Sequence, residues 1–149
     1  MNIESCLVDS NILLRITRRQ DPQHHIADKA VALLAGQGTI LCYTHQNIAE
    51  IWNVMTRPLA KNGLGLTVNE AEREVRAIEL KLEFLPDNEL VYREWRRILS
   101  AYSVSGIQVY DARLVATMAV YGIRHILTFD VSDFSCYSAI MVLHPTAVS

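Results

Sequence analysis

Aromatic side chains are scarce in this chain: three Phe, two Trp and six Tyr among 149 residues. With so few, Trp52 and Trp95 read as core or interface residues rather than as platforms for stacked bases. No excess of one charge is present either. Fourteen Lys and Arg stand against sixteen Asp and Glu, a net charge of −2. That balance excludes nucleic-acid binding by bulk positive charge, though not a local basic patch around an acidic site. Cysteine is limited to Cys6, Cys42 and Cys136, odd in number and without a CxxC pair, so no disulfide framework is expected. Cys6 and Cys42 lie in apolar runs and read as buried free thiols in a reducing compartment. No apolar stretch is long enough to cross a membrane and no secretory leader is evident, so the expectation is a cytoplasmic protein without membrane contact. The five histidines form no HxH or HExxH pattern, which argues against zinc. GxGxxG, GxxxxGK[ST] and GxSxG are all missing, so dinucleotide, P-loop and serine-hydrolase readings have no support.

What is present is an alternation. The length fits one domain over residues 1–149. "CLV" (6–8) reads as a strand, followed by a helix over "SNILLRITRR" that Ser10 or Asn11 could cap. "HHIADKAVALLAGQG" has helical periodicity up to Gly36 and Gly38, and "TILCYT" (39–44) suits a strand. "QNIAEIWNVMTRP" is helical until Pro58. "TVNE" (67–70) is a capping box opening a charged helix to about Lys81. "LEFLP" is a short strand, and "DNELVYREWRRILSAYSVSG" is a helix ending near Gly106. A helix is expected to begin at Asp111 and close at Gly122. "HILTF" and "AIMVLHP" are the last strands. Strands alternating with helices imply an α/β fold: a small parallel sheet of about five strands with helices on both faces.

In such a sheet, ligands bind beyond the carboxyl ends of the strands. Asp9 follows "CLV" and Asp130 follows "ILTF", so both belong at that edge. Asp111 opens a helix leading into "HILTF", and Glu50 lies about two turns into the helix leaving "TILCYT". Taken singly, Asp9 and Asp111 could be no more than helix caps, worth about 1 kcal/mol each. Taken together, converging carboxylates repel and lose hydration, which a protein tolerates when a cation compensates. All-oxygen ligation suits Mg2+ or Mn2+. An ion so held can activate water and stabilise charge during attack on a phosphodiester, which is the chemistry of a metal-dependent nuclease.

These residues also carry a family resemblance. "LVDSNILL" resembles the first motif of PIN-domain nucleases. "THQNIAEIWNVMTRP" is similar to the second motif of the VapC-type toxins of bacterial toxin–antitoxin pairs. "YDARLVATMAVYGIRHILTFDVSDF" resembles the third and fourth motifs in order. The resemblance spans nearly the whole chain. It implies a PIN-like fold and Mg2+- or Mn2+-dependent RNA cleavage, with Asp9, Glu50 and Asp111 in the places of three central acids. In related sequences the fourth stretch often runs T-x-N-x-x-D-F. Here Asp130 stands at the Asn place and Asp133 keeps the acid before Phe, so either could complete the metal site, or Asp133 could turn inward to hold its loop. Ser10 matches a hydroxyl that could orient a metal-bound water, with Asn11 supporting it. An RNA substrate, a cognate antitoxin protein and a homodimer are further implications. The dimer also has a motive in the sequence: Val68, Ala71, Val75, Ile78 and Leu82 form a helical stripe that would pack on a second copy or on the sheet.

Arg15, Arg57 and His45 are candidate RNA contacts near the rim, with solvated surface roles as the alternative. Two rival classes remain. One is a catalytically silent PIN-like module that binds RNA or protein. The other is a phosphoacceptor signalling domain, which would want a paired acid beside the first strand and a Lys after the last. The chain offers only Asp9 at the first place and no Lys in "AIMVLHP".

Overall fold

A computed structural model describes residues 2–149, so Met1, where the first strand-like run begins, lies outside the described residues. Five strands, β1 (Ser5–Val8), β2 (Ile40–Thr44), β3 (Glu83–Leu85), β4 (His125–Leu127) and β5 (Met141–Leu143), form one sheet in the order β3-β2-β1-β4-β5. Every pairing is parallel. The α/β, five-stranded PIN-like expectation is met.

Side-chain alternation along β1 splits the core. Cys6 and Val8 point to one face, where they meet Ile12 and Leu13 of α1 (Ser10–Thr17), Ala27, Ala30 and Leu34 of α2 (His24–Gly36), Ile51 and Met55 of α3 (His45–Thr56) and Ala71 and Val75 of α4 (Val68–Lys81). Leu7 points the other way, into Val91 and Ile98 of α5 (Glu89–Ala101) and Leu114, Val115 and Met118 of α6 (Gln108–Tyr121). Central strands buried on both faces read as continuous apolar runs, which is why "CLV" and "LCY" lack polar alternation. Cys6 and Cys42 are buried free thiols, and burial is the largest cause pushing them up to about 12 and about 11.

From β1 the chain winds out through β2 to β3, then returns to the other side of β1 to place β4 and β5. The connections after β1 and β4 therefore leave in opposite directions and open a crevice at their carboxyl ends.

Three local expectations are corrected. α1 is capped by Asp9, whose carboxylate accepts from the Ser10 N–H, and not by Ser10 or Asn11; those two side chains are turned to other partners. Asp111 does not begin α6. The helix starts at Gln108 after Ile107, which places Asp111 on its fourth residue with no capping bond, so the cap reading of Asp111 fails. The α4 stripe is spent inside the molecule: Ala71, Val75, Ile78 and Leu82 are in the core, and only Val68 is exposed. The Thr67–Glu70 capping box and the left-handed C-cap at Gly122 (φ 69°) are as expected.

Candidate active site

The crevice between β1 and β4 is walled by polar side chains at the edge of an apolar core. Asp9 is the deepest, at 8% exposure. One oxygen accepts from the Ser10 N–H at 2.8 Å, and the other accepts from the Thr128 hydroxyl at 2.8 Å and from Asn11 Nδ2 at 3.4 Å. Burial is the largest influence on its carboxyl and raises the pKa to about 6. The Thr128 and Ser10 bonds act against that rise, and the charges of Glu50 and Asp130 add to it.

Glu50 reaches the crevice from α3. Its Oε1 accepts from Ser10 Oγ at 3.1 Å and from Gln46 Nε2 at 3.3 Å. Ser10 Oγ in turn accepts from Asn47 Nδ2 at 3.0 Å, so its proton is directed at Glu50. Asn47 is fully buried. Its Oδ1 accepts from the Thr44 N–H at 2.8 Å and the Thr44 hydroxyl at 3.0 Å, which closes the capping box that starts α3. A helix start thereby doubles as a brace for the site.

Asp111 comes from the opposite face, half-buried in the first turn of α6. Its pKa is raised to about 7, first by burial and then by Asp9, Asp133, Glu50 and Asp130. Asp130 follows β4 by three residues and accepts from Asn11 Nδ2 at 3.0 Å. Asp133 sits in a 3-10 turn (Val131–Phe134) anchored by buried Phe134. Its side chain is exposed and holds no loop, and it ranks ahead of Glu50 and Asp130 among the charges acting on Asp111. Asp130 is thus tied through Asn11 to Asp9, and Asp133 bears more on Asp111.

Hydrogen bonds join Asp9, Glu50 and Asp130 through Ser10 and Asn11, and the charges of Asp9, Asp133, Glu50 and Asp130 all act on Asp111. Among the described residues, none of the five is in an ion pair with Lys, Arg or His. Nor do three or more His, Cys, Asp or Glu side chains there stand drawn together around one point.

The candidate RNA contacts are engaged elsewhere. Arg15 Nε donates to Gln23 at 3.1 Å and lies 3.5 Å from Asp21. A terminal amine of Arg57 donates to the Asn62 carbonyl at 3.1 Å, and His45 Nδ1 lies 3.1 Å from Asp87. Sequence reasoning passed over Thr128, Gln46, Asn47 and Arg113. Thr128, Gln46 and Asn47 are buried polar residues beside strand ends, and the only signal in the sequence was their place next to apolar runs.

The PIN domain family model matches residues 6–136. This chain belongs to the PIN domain family. Solved structures of the same fold include VapC20 of Mycobacterium tuberculosis, described as a sarcin–ricin loop cleaving toxin (18% identity, TM-score 0.63, covering 89% of this chain and 95% of that one). VapBC2 of Rickettsia felis bound to a promoter DNA fragment matches with 12% identity and a TM-score of 0.67, covering 93% and 97%. A toxin–antitoxin complex from Klebsiella pneumoniae matches with 17% identity and a TM-score of 0.64, covering 94% and 97%. Compared with curated protein sequences, the chain has no match. At these identities the solved structures speak to the PIN fold alone. Among the described residues, no helix of this PIN domain is long and apolar enough to cross a membrane.

Proposed function

We propose that this PIN domain is a metal-dependent endoribonuclease, the toxin of a toxin–antitoxin pair, with Asp9, Glu50 and Asp111 holding Mg2+ or Mn2+ and Asp130 or Asp133 completing the set. The observation that carries the reading is electrostatic. Two carboxyls with pKa values raised to about 6 and about 7 face three further acids, and no Lys or Arg among the described residues pairs with any of them. Folding keeps such a cluster only against a cost, and a bound cation removes it. The donors are all oxygen, with no His or Cys among them, which fits Mg2+ or Mn2+ and not zinc.

When bound, the ion supplies an activated water and neutralises charge on the phosphodiester under attack. The chain's own residues do the positioning. Thr128 and the Ser10 N–H fix both oxygens of Asp9. Ser10 Oγ and Gln46 aim one oxygen of Glu50. Asn11 bridges Asp9, Thr128 and Asp130 with one amide group, while its Oδ1 accepts from the Phe129 N–H. Partners that lock the rotamers of ligating carboxylates are what a metal site requires beyond its ligands.

The likeness to a sarcin–ricin loop cleaving toxin and to toxin–antitoxin complexes supports RNA as substrate and a cognate antitoxin as partner. A reducing cytoplasm suits the buried free thiols. A homodimer belongs to the same reading, formed on a surface other than the α4 stripe. Light scattering at micromolar concentration is expected to give twice the chain mass, and a monomeric mass would remove that part of the reading.

The spacing of the acids favours one rival, a silent PIN module. The assay that separates them is Mn2+-dependent cleavage of RNA by the wild type and by Asp9→Asn. The nuclease cuts, and the variant does not. RNA binding without cleavage by the wild type would establish the silent module.

A further inference from the structure

We propose that Arg113 grips a backbone phosphate of the RNA beside the carboxylate site; the assignment rests on the nuclease reading above and gives it a substrate-binding residue. Arg113 stands two positions after Asp111 on α6, half-buried. Its Nε donates to Gln46 Oε1 at 2.6 Å. Its guanidinium carbon lies 6.0 Å from the centroid of the Trp95 ring, within cation–π range. Trp95 is itself held by a bond from Nε1 to the Val109 carbonyl at 2.9 Å. The guanidinium plane is therefore fixed by a hydrogen bond and by an aromatic neighbour.

A cation two positions from Asp111 and one hydrogen-bonded step from Glu50 could be expected to pair with an acid. It pairs with none: among the described residues Arg113 is in no ion pair, and its bonded neighbour is the neutral Gln46. Gln46 occupies its own donor on Glu50 at 3.3 Å and on the Tyr110 carbonyl at 3.0 Å, so it spaces the guanidinium from the carboxylates rather than joining them. Guanidinium has five N–H donors in a planar fork. One is used here, and the terminal amines have no acceptor among the described residues. They are not sealed from water, since Arg57 Nε is the buried unpartnered nitrogen there. Arg113 lines a hollow of about 110 Å³ between α5 and α6 that also includes Tyr92 and Trp95. Asp87 is the one carboxylate on it and is turned to His45 Nδ1 at 3.1 Å.

An oriented fork with free donors matches a phosphate, which it can bind with two parallel bonds. Because Gln46 bonds both Arg113 and Glu50, a phosphate on the guanidinium is held in fixed register with a metal-side carboxylate. Among the described residues, Arg15 and Arg57 have no such link to a carboxylate of the site: Arg15 is turned to Gln23 and Asp21, and Arg57 to the Asn62 carbonyl.

The test is binding of a fluorescein-labelled single-stranded RNA by Asp9→Asn protein, which the nuclease reading makes unable to cut, with and without Arg113→Ala, across a series of salt concentrations. Wild-type cleavage with Mn2+ is measured alongside. Loss of one phosphate contact is expected to weaken binding at least about tenfold and to flatten the slope of log K against log salt by about 0.7. Arg113→Lys is expected to keep the slope and recover only part of the affinity, because the point charge survives and the fork does not. If Arg113→Ala does not fold, Arg113→Gln replaces it, being uncharged with a polar stem. An unchanged slope in the neutral variant, while the wild type cuts RNA, overturns the assignment alone and leaves Arg113 a support for Gln46. Absence of Mn2+-dependent cleavage by the wild type overturns the nuclease reading, and the assignment with it.

Discussion

Asp111→Asn is expected to remove RNA cleavage and, without metal, to make the protein more stable. The substitution keeps the shape of the side chain and deletes its charge. No capping bond is lost, because Asp111 is the fourth residue of α6 and makes none. Its pKa is raised from 3.8 to about 7, chiefly by burial and then by four neighbouring acids. Three units correspond to about 4 kcal/mol. The side chain is only half-buried and water screens it, so about 1–2 kcal/mol is the reasonable magnitude. The favourable interaction of its charge with the helix N-terminus, about 0.3–1 kcal/mol, acts the other way and is smaller. The pH dependence follows from linkage. Below pH 3.8 both folded and unfolded chains hold the proton and no penalty exists. Between 3.8 and about 7 the folded chain keeps a proton the unfolded chain has lost, so stability falls as pH rises. Above about 7 the full penalty applies. The variant should therefore stand only slightly above the wild type at pH 4 and exceed it at pH 8 by about 2–4 °C in Tm for a chain of this size. Thermal unfolding followed by circular dichroism in EDTA at both pH values measures this. A variant less stable than the wild type at pH 8, or a difference independent of pH, would refute the crowded-carboxylate account. A variant that cuts RNA at the wild-type rate would refute the ligand role.

Three more outcomes follow from the same geometry. Millimolar Mg2+ or Mn2+ should raise the Tm of the wild type, since an ion at about 100 times its Kd adds about 2.7 kcal/mol; Asp9→Asn should lose most of the shift, and an unmoved wild-type Tm would sink the shared site. Thr128→Val removes a buried hydroxyl that donates to Asp9 and accepts from Asn11 Nδ2 at 3.1 Å and the Asp130 N–H at 3.0 Å; it should cost about 1–3 kcal/mol in urea unfolding and move the acid limb of the cleavage pH profile upward, because the Thr128 bond is the largest influence holding the Asp9 pKa down. Thr128→Ser should restore both, and a Val variant with the wild-type profile would remove Thr128 from the site. Gly63→Ala would place a Cβ 1.9 Å from the Arg57 carbonyl oxygen, so the turn after α3 must shift at a cost of about 1–3 kcal/mol; an unchanged urea midpoint would refute the packing argument for glycine at this turn.

The fold was legible because periodicity and punctuation agreed. Short apolar runs such as "CLV" and "LCY", separated by helices with clear stops at Gly36, Pro58 and Gly122, permit little besides a parallel sheet. The two faces of β1 could not be told apart from the sequence, since both are apolar and alternation carries no signal there. The start of α6 was misplaced for a related reason. Gln108, Val109 and Tyr110 carry no capping signature, and Ile107 at the N-cap makes no side-chain bond, so Asp111, the one acid in the stretch, drew the start to itself. The α4 stripe shows the limit of periodicity: a row of apolar residues at helical spacing states that something is covered, and only the packing states that Ala71, Val75 and Ile78 are covered by this chain itself.

The acids were found in the sequence because a carboxylate after an apolar run is conspicuous. Of the groups that aim them, Ser10 and Asn11 were picked out for the site only through the family resemblance and Thr128, Asn47 and Gln46 not at all, and the reason is physical. Thr128, Asn11, Ser10, Asn47 and Gln46 act as neutral hydrogen-bonding side chains, which occur anywhere, and each gains its meaning from a partner up to 119 positions away, as Asn11 does with Asp130. Their arrangement also explains why Asp9 stays below the pKa of Asp111 although it is the deeper of the two. Asp9 accepts bonds from Thr128 and Ser10 that favour its charged form, whereas every cause acting on Asp111 is burial or another acid. The same neutral shell then divides the acids into a braced group, Asp9 with Glu50 and Asp130, and a pair, Asp111 with Asp133, that it does not reach. Binding of Mn2+ near pH 7 should therefore release protons, and a calorimetric binding heat that does not change with the ionisation enthalpy of the buffer would contradict the raised pKa values of Asp9 and Asp111.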